Sequence, residues 1–183
     1  MSKIYIFLAD GCEEIEALTP VDLLRRAGEE VCTVSVMGRK EIIGSHRITI
    51  LADCTIEESE FDDGDLLVLP GGMPGTLNLG GCESLAALIR SYDDKGKRIA
   101  AICAAPSILG VMGILKDKKA VCFPGFEEKL AGAKIQEQPT VTDGNVTTGR
   151  GMGAAIDFSL ELIRVLKGEE AAKKMGEKIV YHC

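Results

Sequence analysis

The composition of this 183-residue chain excludes several classes of protein before any motif is considered. Hydrophobic residues make up 46%, enough for the core of one domain, and we expect a single domain over residues 1–183. The formal net charge of -7 disfavours a nucleic-acid or membrane partner, since both need clustered Lys and Arg. Only 4% of residues are aromatic and Trp is absent, so the sequence predicts no stacking platform for bases.

The apolar segments of the chain predict neither export nor membrane insertion. The N-terminal apolar run covers only residues 4–9 and acidic residues follow it at once, unlike a signal peptide. The longest uncharged stretch, 99–115, is interrupted by Pro106, Gly110 and Gly113 and is shorter than the roughly 20 residues needed to span a bilayer. We therefore expect a cytoplasmic protein without a membrane partner.

The cysteines and histidines lack the clustering that a metal site or a disulfide framework requires. His46 and His182 stand alone, and no C-x-x-C pair occurs. We therefore expect no bound metal and unpaired thiols, most of them small buried residues or exposed bystanders. The cysteines stand at positions 12, 32, 54, 82, 103, 122 and 183.

Strand and helix signals alternate along the chain. Apolar runs predict strands, and apolar residues at helical spacing predict helices. The alternation predicts an α/β fold with a mostly parallel sheet between helical layers. In chain order, the predicted elements are a strand at 3–9, a helix at 13–28, strands at 30–36, 47–52 and 66–72, a helix at 84–96, a strand at 98–103, a helix at 104–115, a strand at 145–149, and helices at 153–168 and near 169–178.

Ligands of such sheets bind beyond the carboxyl ends of the strands. This rule selects four predicted loops that are rich in Gly, Cys and acidic residues. They are residues 9–16, 70–75, 103–106 and 149–153.

Cys103 lies where a predicted strand turns directly into a predicted helix. Ala101 and Ala105 flank it, and a nucleophile on a sharp turn requires such small neighbours. The N-terminus of the following helix is expected to favour the thiolate. From these residues alone, a reactive cysteine and a small buried cysteine in a tight corner are equally good interpretations.

Two other loops give weaker signals. Gly71 and Gly72 either serve a turn or present backbone amides to an oxyanion. Glu13 and Glu14 fall in the first turn of a helix, where acids are stabilised electrostatically without any catalytic role. Glu16 starts the apolar face of that helix. It is either a surface acid or an inward carboxyl of raised pKa beside the thiol.

Taken together, four segments resemble the ThiJ/PfpI superfamily, and most closely its Parkinson-disease-associated protein deglycase branch with its bacterial relatives. This resemblance implies a flavodoxin-like three-layer sandwich, similar to class I glutamine amidotransferases. It also implies a homodimer and no cofactor. The segments are LADGCEEIEALTPVDLLRRAG, VLPGGMPG, AAICAAPSIL and TGRGMGAAIDFSLELI.

The resemblance also implies roles for individual residues. Cys103 corresponds to the reactive cysteine of the family, and Glu16 to the acid that is hydrogen-bonded to its sulfur. The amides of Gly72 and Ala104, with Gly71 beside them, correspond to the oxyanion pocket.

The sequence also departs from the family pattern. Ala104 replaces the His of the protease-like branch, so a Cys-His peptidase dyad is not predicted. Phe123 stands where several members have another His, which leaves Glu16 as the acid/base, while Arg150 matches the family's arginine after the late strand. The resemblance implies that Phe123 and Arg150 line the pocket. We expect a structural or interface role for His46 and a solvent-facing His182. Whether Cys12 competes with Cys103 stays open.

The implied function is a glyoxalase or deglycase that acts on glyoxal, methylglyoxal or their early adducts. Cys103 would add to the aldehyde carbon, Glu16 would move a proton, and water would release glycolate or lactate. The alternative is an oxidant sensor or redox-gated chaperone that works through a Cys103 sulfinate. A role in thiazole biosynthesis has no support in these residues.

Overall fold

A seven-stranded sheet forms the centre of the protein in a computed structural model that describes residues 1–181. The strands are β1 (Lys3–Leu8), β2 (Glu30–Ser35), β3 (Glu41–Ile43), β4 (Thr49–Leu51), β5 (Cys54–Thr55), β6 (Leu66–Leu69), β7 (Arg98–Ile102), β8 (Lys119–Ala120), β9 (Lys134–Ile135), β10 (Thr140–Asp143) and β11 (Val146–Gly149). The helices are α1 (Glu14–Arg26), α2 (Gly75–Gly80), α3 (Glu83–Asp94), α4 (Pro106–Val111), α5 (Ala155–Lys167) and α6 (Glu169–Lys178), with 3₁₀ turns at Glu127–Lys129 and Met152–Ala154.

The central sheet has the strand order β10-β11-β7-β6-β1-β2-β5. All neighbouring strands in it run parallel except β10 and β11, which are antiparallel. Strands β11, β7, β6 and β1 lie side by side, so the loops that follow them meet at one edge of the sheet. The predicted mostly parallel sheet is confirmed, and its topology brings the four candidate loops together.

Two apolar cores, one on each face of the sheet, hold the helices against it. Alternate residues of β1 serve the two faces: Ile6 joins the core under α1, α5 and α6, and Phe7 joins the core under α2, α3 and α4. Both side chains are fully buried. Because the central strands are covered on both faces, they read as continuous apolar runs in the sequence. The predicted three-layer arrangement is confirmed.

The predicted strand at 47–52 differs most from the observed structure. Its central residues form β4, which pairs with β3 in a separate antiparallel hairpin and not in the central sheet. The strand that pairs with β2 at this edge of the central sheet is instead the short strand β5. Ile50 of the hairpin is buried while Leu51 is 75% exposed, so the hairpin presents an apolar outer surface.

The predicted helix at 104–115 is shorter in the structure, where α4 ends at Val111. Gly113 has a positive φ of 80°, a conformation that ends regular helix. Gly110 packs directly against the backbone of Lys129, where a Cβ atom would not fit. The helical spacing of apolar residues does not reveal the roles of these two glycines. Gly113 marks the end of the helix, and Gly110 allows a close backbone contact.

Within residues 1–181, no helix is both long and apolar enough to cross a bilayer. His182 and Cys183 lie outside the described residues, so the expectation of a solvent-facing His182 stays a prediction.

Candidate active site

Cys103 occupies the sharp turn directly after β7, in a strained backbone conformation. Its φ of 67° lies in the left-handed region, which residues with a side chain rarely adopt. Its N–H donates to the carbonyl of Gly149 at 2.9 Å, and its own carbonyl accepts from the N–H of Phe123 at 2.8 Å. Ala101 and Ala105 are fully buried on either side. The turn therefore holds the thiol at the carboxyl end of β7, on a backbone that these hydrogen bonds fix in place.

Glu16 points inward from the first turns of α1 and is only 1% exposed. Glu13 caps this helix, because its carboxylate accepts the N–H of Glu16 at 2.7 Å. The Glu16 Oε2 atom accepts from the amide of Gly71 at 3.0 Å, and the carboxyl is hydrogen-bonded to the Cys103 side chain. Its other oxygen, Oε1, is buried and lacks a hydrogen bond of good geometry within the described chain. This carboxyl is therefore placed beside the sulfur with one oxygen available.

Gly71 and Gly72 allow the loop after β6 to lie against both side chains and against the loop after β1. A Cβ atom on Gly71 would lie 2.6 Å from the Cys103 Cβ and 2.6 Å from Glu16 Oε2. Gly72 has a φ of 86° and packs on the backbone of residues 11–13. The Gly71 carbonyl also accepts the N–H of Glu13 at 3.0 Å, which ties the two loops together. Neither position has room for a side chain.

Backbone amides of Gly72 and Ala104 are hydrogen-bonded to the Cys103 sulfur. Two donors that converge on a sulfur can also reach an oxygen on the carbon that the sulfur attacks. The structure thus brings together five of the residues singled out in the sequence, which are Cys103, Glu16, Gly71, Gly72 and Ala104.

The surroundings raise the pKa values of both reactive groups. Burial, with a smaller contribution from the charge of Glu13, raises the pKa of Glu16 to about 7. Burial and then the negative charge of Glu16 raise the pKa of Cys103 to about 12, against the lowering effect of the amides of Gly72 and Ala104. Burial and Glu16 therefore oppose the predicted thiolate, while the two amides favour it. The six-residue α4 starts only at Pro106 and does not offset burial.

Arg150 and Phe123 lie in an adjoining cavity of about 530 Å³, which Cys103 and Glu16 do not line. The Arg150 guanidinium donates to the carbonyl of Glu137 at 2.6 Å. Phe123 is 47% exposed, and its backbone N–H bonds to the carbonyl of Cys103. These two predicted pocket residues therefore line a neighbouring cavity and not one shared with Cys103 and Glu16.

Cys12 is close to the candidate site in the first loop but is fully buried. Burial raises the pKa of its thiol to about 11. Its backbone lies under Gly75, where a Cβ atom would lie 2.6 Å from the Cys12 Cα. Cys12 therefore has no exposed sulfur with which to compete with Cys103.

Glu14 has a role that the sequence did not indicate. The first-turn electrostatic explanation is incomplete, because Glu14 is only 2% exposed and binds the loop between β3 and β4. Its Oε1 accepts the N–H of His46 at 2.7 Å, while Oε2 contacts His46 Nδ1 at 3.0 Å and accepts from Ser45 Oγ at 3.3 Å. Glu14 therefore anchors the hairpin to α1, and His46 has a structural contact.

Glu13, Glu14 and His46 are the group whose potential metal-ligand atoms lie within 4.8 Å of one another in the described chain. Both oxygens of Glu14 already accept hydrogen bonds, and Glu13 caps α1. These contacts account for the group without a metal ion.

A strand-end cysteine with a buried carboxyl beside it defines a class of α/β proteins with a thiol–acid pair. The model of the DJ-1/PfpI family matches residues 2–165, and the chain belongs to this family.

Three relatives illustrate the similarity. "Protein DJ-1 homolog B" of Arabidopsis thaliana is 37% identical over 97% of this chain, but this chain spans only 41% of that protein. A deglycase of Thermococcus kodakarensis is 33% identical over 90% of this chain and 99% of its own length. The oxidized DJ-1 of Toxoplasma gondii superposes with a TM-score of 0.96 at 35% identity, with both chains fully covered.

Proposed function

We propose that this protein is a cysteine-dependent glyoxalase or deglycase that acts on glyoxal, methylglyoxal or their early adducts with amines and thiols. Cys103 is the nucleophile and Glu16 the acid/base in this proposal. The amides of Gly72 and Ala104 hold the developing oxyanion, and the reaction uses no added cofactor. Arg150 and Phe123 line the approach to the site.

The observation that carries this proposal is the hydrogen bond between the Cys103 thiol and the buried carboxyl of Glu16, whose pKa burial raises to about 7. A group that takes up and releases protons near neutral pH is suited to general acid and base catalysis. Glu16 is the titratable side chain hydrogen-bonded to the Cys103 thiol. The family relationship to a deglycase from Thermococcus kodakarensis agrees with this chemistry.

With methylglyoxal, the reaction begins at the aldehyde carbon. The Cys103 sulfur bonds to this carbon, Glu16 takes the thiol proton, and the carbonyl oxygen becomes an oxyanion held by the amides of Gly72 and Ala104. Glu16 then returns the proton to this oxygen. The product of the step is a hemithioacetal.

An internal shift of hydrogen follows. The Glu16 carboxylate removes the hydrogen on the former aldehyde carbon as a proton, and the electron pair forms the double bond of an enediolate, with the negative charge on the neighbouring ketone oxygen. This oxygen takes up the hydroxyl proton of the hemithioacetal, and Glu16 returns its proton to the neighbouring carbon. The oxygen on the sulfur-bearing carbon then becomes the carbonyl of a lactoyl thioester. Water cleaves the thioester, which releases lactate and restores the thiol. The net reaction adds one water to methylglyoxal, and glyoxal gives glycolate in the same way.

The test is the conversion of methylglyoxal to lactate by the purified protein, followed by a lactate-specific assay. Cys103→Ser and Cys103→Ala should both abolish product formation, since neither provides a sulfur nucleophile. The matched control is Cys82→Ser, at another half-buried cysteine outside the site, which should retain full activity. Lactate formation at the wild-type rate by both Cys103 variants contradicts the proposal.

The pH dependence provides a second test. Because Glu16 must be ionised to accept the thiol proton, kcat/KM should rise with pH through a value near 7. The rising limb should be absent from the residual activity of Glu16→Gln. A rising limb that persists in that variant assigns the base to another group.

A homodimer in the cytoplasm is the assembly and location that we infer for this activity. Apolar side chains are exposed on α1 and on the hairpin that Glu14 joins to it. They are Ile15 (49% exposed), Leu18 (38%), Ile43 (44%), Ile48 (54%) and Leu51 (75%). An apolar surface shared by two elements is suited to a twofold interface.

The unpaired cysteines of the described chain agree with a reducing compartment.

Sedimentation analysis of Leu51→Glu tests the dimer, because a charge in its interface should shift the protein to monomer. Val111→Glu, at an exposed position on α4, is the control and should sediment like the wild type. A wild-type protein that sediments as a monomer contradicts the inference.

An oxidant sensor or redox-gated chaperone is the second candidate function. The similarity to a Toxoplasma gondii DJ-1 described as oxidized favours it. In this alternative, Cys103 takes up two oxygen atoms and the protonated Glu16 hydrogen-bonds the resulting sulfinate. Selective two-oxygen uptake at Cys103 under mild peroxide, without turnover of any aldehyde, separates this function from the enzyme.

A further inference from the structure

A second pair of thiols lies at the edge of the central sheet, apart from the candidate active site. The Sγ atoms of Cys32 in β2 and Cys54 in β5 are 3.6 Å apart, and both cysteines are unpaired. Both are half-buried against the core that contains Phe7 and Val34. This separation is ordinary contact between two sulfur atoms, whereas an S–S bond is about 2.05 Å long.

The strand register places the two cysteines diagonally across neighbouring strands. Cys54 is opposite Val34, and Cys32 precedes Val34 by two residues, so both side chains are on the same face of the sheet. Formation of a bond requires the sulfurs to approach by about 1.5 Å. Strand β5 can accommodate this shift, because it is only two residues long and pairs with β2 alone.

Asp53 holds the start of β5 close to β2 and so maintains the contact between the sulfurs. Its Oδ2 accepts from both the N–H and the hydroxyl of Thr33 at 2.8 Å, and from Arg25 at 2.9 Å. Thr33 directly follows Cys32, and Asp53 directly precedes Cys54. The polar contacts therefore act on the residues next to the two thiols.

We propose that Cys32 and Cys54 form a reversible disulfide when the protein meets hydrogen peroxide, as a redox site independent of Cys103. One thiolate attacks the peroxide O–O bond and becomes a sulfenic acid, with release of water once a proton is taken up. The second thiol attacks the sulfenic sulfur and expels a second water. Two thiols and one peroxide thus give one disulfide and two waters, and a dithiol reductant reverses the change.

The surroundings of the pair set its rate and reversibility. Burial and the hydrogen bond with Cys54 raise the pKa of Cys32 to about 12, so its thiolate is scarce at neutral pH. We therefore expect cross-linking to accelerate as the pH rises. A bond that forms only after β5 shifts stores strain, and strained disulfides are more easily reduced. The site is therefore suited to reversible oxidation of the sheet edge.

The experiment treats the full chain with hydrogen peroxide at pH 7 and pH 9, then blocks remaining thiols and maps peptides without reduction. Trypsin with an Asp-directed protease isolates Cys32 in the peptide 27–39 and Cys54 in the peptide 53–61, each as its sole cysteine. We expect these two peptides to be linked, with loss of two hydrogen atoms (about 2 Da), and more so at pH 9. Dithiothreitol should separate them.

Variants at other cysteines identify the site. Cys54→Ser and Cys54→Ala should lose the linked peptide completely, whereas Cys103→Ser and Cys82→Ser should keep it. The oxidised wild type should also unfold at a higher urea concentration than the reduced protein, and this shift should be absent from Cys54→Ala. The proposal is overturned if the peptides of Cys32 and Cys54 stay unlinked after Cys103 is fully oxidised. A link from Cys32 to any other cysteine overturns it as well.

Discussion

Helix α1 carries two buried carboxyls, Glu14 and Glu16, whose surroundings have opposite effects. They are 2% and 1% exposed, so burial raises both pKa values. At Glu14, hydrogen bonds from the side chain and backbone of His46 outweigh burial and lower the pKa to about 2. At Glu16, hydrogen bonds from the Cys103 thiol and the Gly71 amide do not outweigh the effect of burial, and the pKa rises to about 7.

The comparison shows that the donors around a solvent-inaccessible carboxyl, together with the desolvation that they must offset, decide its role. Glu14 is a permanent anion that fastens the hairpin to α1. Glu16 is an acid that can exchange its proton beside a thiol. Two residues of one helix thus have different roles, since Glu14 holds the hairpin in place and Glu16 can exchange a proton.

The largest contrast should be in activity. Glu16→Gln keeps an acceptor for the Gly71 amide but cannot take a proton, so kcat/KM for methylglyoxal should fall by about 10²- to 10⁴-fold. Glu14→Gln, the matched control on the same helix, should change it by less than about 10-fold. Equal losses in both variants would remove the distinction, since a general disturbance of α1 then explains them.

Stability should show the reverse contrast. Glu14→Ala leaves the His46 amide without its acceptor and removes the contact with the Ser45 hydroxyl, and should cost about 3 kcal/mol in the free energy of unfolding at pH 7. Urea denaturation measures this loss, and hydrogen exchange should locate it in β3 and β4. Protection of the hairpin amides at the wild-type level would contradict an anchoring role for Glu14.

The pH dependence of stability should differ between the two carboxyls. The folded pKa of Glu16 lies above its ordinary value of 4.5, so its stabilising contribution is complete below pH 4.5 and is lost as the pH rises through about 7. The contribution of Glu14 is complete above pH 4.5 and is lost as the pH falls towards 2.

Between pH 5 and pH 8, the wild type should therefore lose about 2 kcal/mol more stability than Glu16→Gln. Urea denaturation of both proteins at the two pH values measures the difference, with Glu14→Gln as the control. Parallel pH profiles for wild type and Glu16→Gln would show that Glu16 ionises normally in the folded protein.

The smallest effect should come from the exposed partner of Glu14. The His46 side chain is 71% exposed, and the backbone N–H of His46 still binds Glu14 after truncation. His46→Ala should therefore cost no more than about 1 kcal/mol. A thermal melt that falls as far as that of Glu14→Ala would show that the side chain, not the backbone, holds the hairpin.

The sequence predicted the parallel sheet and the position of Cys103 because both depend on local patterns. Apolar runs, small flanking residues and helical spacing are visible within a few positions of one another. The residues around Glu16 favoured a surface acid, and its inward direction was implied only by the resemblance to the family.

Long-range contacts explain what the sequence could not predict. Nothing near Glu14 shows that residues 44–46 will surround it, since the contact spans about thirty positions. The raised pKa of Cys103 likewise depends on burial and on Glu16, which belongs to another loop. The strand predicted at 47–52 lies outside the central sheet, which its sequence could not show because an isolated apolar segment does not reveal its pairing partner.

The tight fit around Gly71 and Gly72 has a consequence for mutational tolerance. Any replacement at Gly71 brings a carbon atom to 2.6 Å from both Glu16 Oε2 and the Cys103 Cβ. In a saturation mutagenesis survey, both glycines should rank beside Cys103 and Glu16 as positions that accept no substitution. They would do so although they provide no side-chain chemistry, because the empty space at these positions is what lets three loops meet.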